Sequence, residues 1–208
     1  MLSVEAREWG LPPDCAKQTP ESGGTPLKGK SSTQIILTAV FAALYSVGVV
    51  SLVPISFYLP FQVRVADALL PLAILFGWPA VLGLSLGAFV ANIFGGLGPV
   101  DMIGGALANF IATFVAWRFV HAKRGRWMLV GVGFEILAVT FVVGTYLSYL
   151  LNWPLIAGWT DIFSGSFIAI GILGSLLLFA LSKTNLPAML AAHGLREEYT
   201  SKKERPNG

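Results

Sequence analysis

Apolar residues in this chain gather into runs long enough to cross a lipid bilayer, and that constrains the fold more than any other feature. A transmembrane helix needs about 20 mostly apolar residues to span roughly 30 Å of hydrocarbon. Four stretches satisfy this without ambiguity: Gln34–Val53, ended by Pro54; Trp78–Gly96; Val100–Val120; and Trp127–Leu151. A fifth, Asp161–Leu181, follows the irregular "NWPLIAGWT". A sixth, "VADALLPLAILFG" (Val65–Gly77), is apolar but short, about 20 Å by the helical rise, and Pro71 should kink it. Only 12% of residues are charged, about half the share of a soluble domain. No alternation of the kind a membrane barrel needs is present. The expected fold class is therefore an all-α membrane protein, a bundle of six transmembrane helices whose second helix is short and kinked. A re-entrant pair formed by the second and third helices is the alternative.

This divides the chain into a flexible polar leader (1–33), a membrane domain (34–182) and a polar tail (183–208). The leader lacks the apolar core of a signal peptide. With six spans, both termini and the loop after the fourth helix share one side. Thirteen of the fourteen Lys and Arg residues fall there: Arg7, Lys17, Lys28 and Lys30; Arg118, Lys123, Arg124 and Arg126; and Lys183, Arg196, Lys202, Lys203 and Arg205. The positive-inside rule assigns that side to the cytoplasm of a multi-pass cell-membrane protein.

The leader contains "GTPLKGKS" (Gly24–Ser31), which satisfies the phosphate-loop pattern G-x-x-x-x-G-K-[ST]. A working phosphate loop needs a buried strand before it and converging backbone amides. Here "DCAKQTPESG" precedes it, Pro26 removes an amide, and the first span follows within a few residues. The motif is a coincidence, and its lysines serve better as anchors at the membrane surface. An intramembrane enzyme also lacks parts, because His121 and His193 both fall outside the spans and Cys15, in the leader, is the sole cysteine. No metal, no cofactor and no nucleic-acid partner is expected.

Charges inside a bilayer are costly, so each is a candidate for function. Outside the loop after the fourth helix and its neighbour Arg118, five lie between Gln34 and Leu181: Arg64, Asp67, Asp101, Glu135 and Asp161. Four stand at one depth, at the outer starts of helices two, four and six, with Asn92 at the outer end of helix three. Trp153 and Trp159 flank the neighbouring loop. These residues make a polar, net-acidic, aromatic rim. The plainer readings are helix capping for the three aspartates and an interfacial belt for the tryptophans. Arg64 resists such a reading and stands one turn from Asp67, so the two can pair. Glu135 lies deeper, about 12 Å in from the cytoplasmic end of its helix, and Asn109, at a similar depth, is its candidate partner. Small residues recur every fourth position: Ala39 and Ala43; Gly83, Gly87, Ala91 and Gly95; Gly104, Ala108, Ala112 and Ala116. Such ridges let helices approach closely in lipid.

The segment from Phe61 to Trp117 resembles the QueT family of queuosine-precursor transporters. "QVRVADAL" stands where the family carries a Q-[FV]-R-V-S-E-A-L-like run, followed by "GAFVANIFGGLG" and then, after two intervening residues, an aspartate. Family members are substrate-binding S components of energy-coupling factor (ECF) importers with six helices. The resemblance implies a substrate site at the outer face that includes Gln62, Arg64, Asp67 (where the family usually has Glu), Asn92 and Asp101. It implies further that Ala39 and Ala43 meet a transmembrane coupling subunit, and that ATPase subunits supply the energy. Two positions depart from the family: Ser166 stands where an acidic residue is common, and Pro71 is displaced by about one position. A 7-deazaguanine offers N–H donors to carboxylates and a flat face to aromatic rings, so Glu135, Trp159 and Asp161 join the expected substrate-binding set. Two other readings fit the same residues. One is a solitary proton-coupled carrier of a small solute using Glu135; the other is an ECF S component for a different vitamin-like ligand.

Overall fold

The structure, a computed structural model, describes residues 27–52, 63–120 and 126–184. Gln62, His121, His193, Cys15 and the tail beyond Thr184 lie outside the described residues. Five helices are long and apolar enough to cross a membrane, and among the described residues all regular structure is helical. We label them α1 (Leu27–Ser51), α3 (Trp78–Gly95), α4 (Pro99–Val120), α5 (Arg126–Leu151) and α6 (Leu155–Ser182), with the shorter apolar α2 (Val65–Phe76) between the first two.

Two boundaries differ from the sequence reading. Helix α1 begins at Leu27 rather than Gln34, so the end of the expected leader is helical. The second half of the phosphate-loop pattern is thus wound into the start of a helix. Helix α6 begins at Leu155, directly after Pro154, rather than at Asp161. Trp159 and Asp161 therefore lie within the helix, and its first turn has no acidic residue. Capping by Asp161 is ruled out.

Helix α3 packs on α1, α4 on α3, α5 on α4 and α6 on α5, while α2 touches all five. The α1–α3 crossing is close because α3 offers glycine. A Cβ at Gly83 would stand 2.6 Å from both the Cβ of Phe41 and the Thr38 carbonyl, and one at Gly87 would stand 2.8 Å from the Ala42 carbonyl. The small-residue ridge of α3 is thus consumed in packing within the bundle. Ala108, Ala112 and Ala116 of α4 are likewise fully buried. Ala39 and Ala43 differ: both are exposed, on the side of α1 that also exposes Ile36, Val40 and Val47.

Apart from Asp67, helix α2 is apolar all round, as its central place requires. Leu70 and Ile74 belong to a core shared with α4, α5 and α6, whereas Ala66, Leu72 and Ala73 belong to one shared with α1 and α3. Its first eight residues, Val65–Leu72, are wound as a 3₁₀ helix with Pro71 inside it, longer than the usual three or four residues of that form. Opposite it, the middle of α6 (Phe167–Gly174) is wound as a π helix, and a Cβ at Gly174 would stand 2.9 Å from the Pro71 ring. At the turn into α3, Gly77 takes φ 66°, a left-handed value that glycine adopts without strain. The short α3–α4 and α5–α6 connections, with Gly48 against Ala66, Asn92 bonded to Asp101 and Tyr146 bonded to Asp101, put the end of α1, the start of α2, the end of α3, the start of α4, the end of α5 and the start of α6 at one end of the bundle. We call this the rim end.

Candidate functional site

Arg64, Asp67, Asn92 and Asp101 all come to the rim end, and all are buried. Arg64 precedes the first turn of α2, and Asp67 lies within that turn. Asp101 lies in the first turn of α4. The aspartate carboxylates are held by phenols from neighbouring helices. The Tyr45 hydroxyl, from α1, donates to Asp67 Oδ1 at 2.5 Å. The Tyr146 hydroxyl, from α5, donates to Asp101 Oδ1 at 2.8 Å. The Arg64 guanidinium stands 3.8 Å from the same Asp101 oxygen, an ion-pair distance longer than a hydrogen bond. Buried carboxylates need such partners, because desolvation without them costs several kcal/mol.

Asn92 acts on the backbone. Its side-chain amide donates to the Asp101 carbonyl at 2.8 Å and so fixes the corner between α3 and α4. Gly105 leaves room for it, since a Cβ there would collide with the Asn92 amide. The Asn92 carbonyl oxygen and Asp101 Oδ2 are buried without a hydrogen-bond partner among the described residues.

Inward of these groups lies a small cavity lined by Arg64, Asp67, Asn109, Val139, Val143, Ile162 and Ser166. Its closed volume admits about one water, so a heterocycle enters only if its walls part. Four polar groups, from α2, α4 and α6, face three aliphatic ones from α5 and α6. Asp101, Asn92, Trp159 and Asp161 are not among the lining residues. Trp159 is spent on packing: its Nε1–H donates to Thr145 Oγ1 at 3.0 Å, and its ring meets Phe141 edge-on at 5.3 Å. It lies against Gly144, where a Cβ would be 2.7 Å from the indole. The expected aromatic face of the site is replaced by valine and isoleucine. Asp161, in the second turn of α6, is partly buried beside that contact.

Glu135 is fully buried, and neither of its carboxylate oxygens has a hydrogen-bond partner among the described residues. The expected Glu135–Asn109 hydrogen bond is not made. Asn109 instead turns its amide toward the Leu84 carbonyl at 3.4 Å and lines the cavity. Glu135 stands one turn before Val139 on α5, hence on the face that supplies Val139 and Val143 to the cavity wall, about 6 Å further from the rim end. Among the described residues no three His, Cys, Asp or Glu side chains come together as a metal site would require.

Tyr45, Tyr146, Asn109 and Ser166 complete a constellation that a search for charges alone does not find. The signal was available: a phenol or amide inside a lipid span must find a partner within the protein. Comparison with known proteins adds one finding. The family model described as QueT transporter matches residues 35–183. No curated protein and no solved structure gives a significant match.

Proposed function

The chain belongs to the QueT transporter family, a family of membrane transporters, and from that premise we propose that it is the substrate-capture subunit of an ATP-driven ECF-type importer. It binds a queuosine precursor, a 7-deazaguanine, at the extracellular face and passes it inward, with energy from ATPase subunits reached through a transmembrane coupling subunit. The observation that carries this reading is the cavity under the rim, where Arg64 and Asp67 turn buried charge toward a shared space. Charges within a membrane bundle that face one another across a cavity mark a solute path. The aminomethyl form of the precursor is a cation and suits a rim richer in carboxylates than in bases. Gln62, Asn92, Asp101, Glu135, Trp159 and Asp161 complete the proposed set. Of these, Asn92 and Trp159 hold neighbouring groups in place, and Gln62 lies outside the described residues.

Ala39 and Ala43 support the partner half of the proposal. Small residues on an exposed apolar face let another helix approach closely, and this pair is not used by α3. Bulky replacements there, Ala39→Leu with Ala43→Leu, should abolish uptake and leave ligand binding intact. The distribution of basic residues supports cytoplasmic termini and a cell-membrane location.

Uptake of radiolabelled 7-aminomethyl-7-deazaguanine into cells expressing the chain, with and without coupling and ATPase subunits, tests the proposal. It requires accumulation with the partners and none without them. Accumulation without any ATPase would favour the second reading, a solitary proton-coupled carrier, for which the unpartnered Glu135 is the specific support. Accumulation of a vitamin instead of the deazaguanine would keep the transport class and change the ligand.

A further inference from the structure

Most buried hydroxyl groups in the described helices follow one rule; Thr140 and Ser166 do not, and of these two only Ser166 lines the cavity. A serine or threonine within a lipid span ordinarily satisfies its hydroxyl by donating to the carbonyl one turn back. Ser85 donates to Val81, Thr113 to Asn109 and Ser148 to Gly144, at 2.6–2.7 Å, and all three are buried. Exposed Thr160 and Ser164 do the same. Ser166 is buried, makes no such bond among the described residues, and lines the cavity. It is the last residue of the α-wound part of α6, immediately before the π-wound segment. Changes of winding of that kind occur frequently at functional sites. Asn109, across the same cavity, reaches the Leu84 carbonyl at 3.4 Å and also stands in hydrogen-bonding range of the Tyr45 hydroxyl.

We infer that Ser166 and Asn109 form the specificity-determining floor of the cavity, reading an uncharged edge of the ligand that places a hydrogen-bond donor beside an acceptor, as the lactam of a heterocycle does. This rests on the capture function proposed above and adds to it Asn109 together with Ser166, the residue that stands where the resembled family commonly carries an acidic one. A hydroxyl and a carboxamide each donate and accept, so together they match a mixed edge, and a solute lacking its donor or its acceptor leaves one of them without a partner. Arg64 and Asp67 lie on the same walls and supply the charged recognition, while Val139, Val143 and Ile162 supply a narrow apolar face. A hydroxyl such as that of Ser166, which donates no hydrogen bond among the described residues, is free to bond the ligand, and a site built to hydrogen-bond its ligand discriminates steeply against solutes that cannot.

The test uses the full chain purified in detergent. Cys15 is the sole cysteine, so Cys15→Ser gives a cysteine-free background into which Ser166→Cys or, as the self-bonded buried control, Ser85→Cys is placed. The probe is 2-aminoethyl methanethiosulfonate, a small cationic thiol reagent, with labelling followed by mass. The Ser166 variant should label at least about tenfold faster than the Ser85 variant, and saturating 7-aminomethyl-7-deazaguanine should suppress that labelling. Equal rates at the two positions would overturn the assignment. Fast labelling that the deazaguanine does not slow would keep Ser166 in the pocket and overturn the queuosine-precursor reading instead. A second variant guards against misfolding. Ser166→Ala should melt as the parent does, because no hydrogen bond among the described residues is lost, yet bind the deazaguanine about tenfold more weakly, the value of one good hydrogen bond. Unchanged affinity in that variant would also overturn the proposal.

Discussion

Asp67 and Asp101 at the rim end, and Glu135 further into the bundle, are all buried carboxylates, yet the protein treats them oppositely. Each aspartate is held by a phenol from another helix, and Asp101 also faces Arg64. Glu135 has no hydrogen bond among the described residues and stands within electrostatic range of Asp67, a like charge. The rim is thus organised by its own side chains: Tyr45 ties α1 to α2, Arg64 ties α2 to α4, and Tyr146 ties α4 to α5. The deeper carboxylate contributes nothing comparable to holding the helices together. A group retained in lipid without a structural partner is one whose use lies in function.

The largest effect should come from Arg64→Ala. Removing one member of a buried ion pair leaves uncompensated charge and costs about 3–5 kcal/mol. Thermal unfolding in detergent should show a large fall in melting temperature, and a small one would mean that the rim aspartates need no cation. Next come Tyr45→Phe and Tyr146→Phe. Each deletes one hydroxyl that donates to a carboxylate, at about 1.5–3 kcal/mol, read from the same unfolding curves. Equal and negligible losses in both would erase the contrast between rim and depth. The smallest change should follow Glu135→Gln, which is nearly isosteric and breaks no hydrogen bond within the described structure. Its stability should shift by less than the ~1 kcal/mol typical of point changes. A loss as large as that of Arg64→Ala would show that Glu135 has a structural partner after all.

Much of the molecule was legible because lipid permits few solutions. Backbone groups in hydrocarbon must be satisfied internally, so span length and apolarity located the helices that the structure contains. Spacing alone also marked Arg64, Asp67, Asn92 and Asp101 as neighbours. What stayed hidden depends on contacts between segments distant in sequence. The 3₁₀ winding of Val65–Leu72 and the π winding of Phe167–Gly174 meet where Gly174 lies against Pro71, a pairing that neither segment announces by itself. "LIAGWT" reads as a loop because glycine and tryptophan follow a proline, yet α6 starts there. Gly158 is the position that lets it lie close against α5, since a Cβ there would stand 2.9 Å from the Gly144 carbonyl. Trp159 was misjudged for the same reason. Its place in an interfacial pattern was visible, but its hydrogen bond to Thr145 was not. The phenols at positions 45 and 146 carry no charge, and only the obligation of a buried polar group to find a partner marks them in the sequence.

The central claim is that the buried polar groups at the rim end of this bundle hold cargo. It is met most directly by calorimetric titration of 7-aminomethyl-7-deazaguanine into the purified full chain and into its Asp67→Asn variant, each confirmed folded by circular dichroism. The account predicts saturable binding to the parent and an affinity at least about tenfold weaker in the variant, as expected when a charge-assisted hydrogen bond is lost. Equal affinities would contradict it, because the carboxylate nearest the cavity would then play no part in holding the ligand.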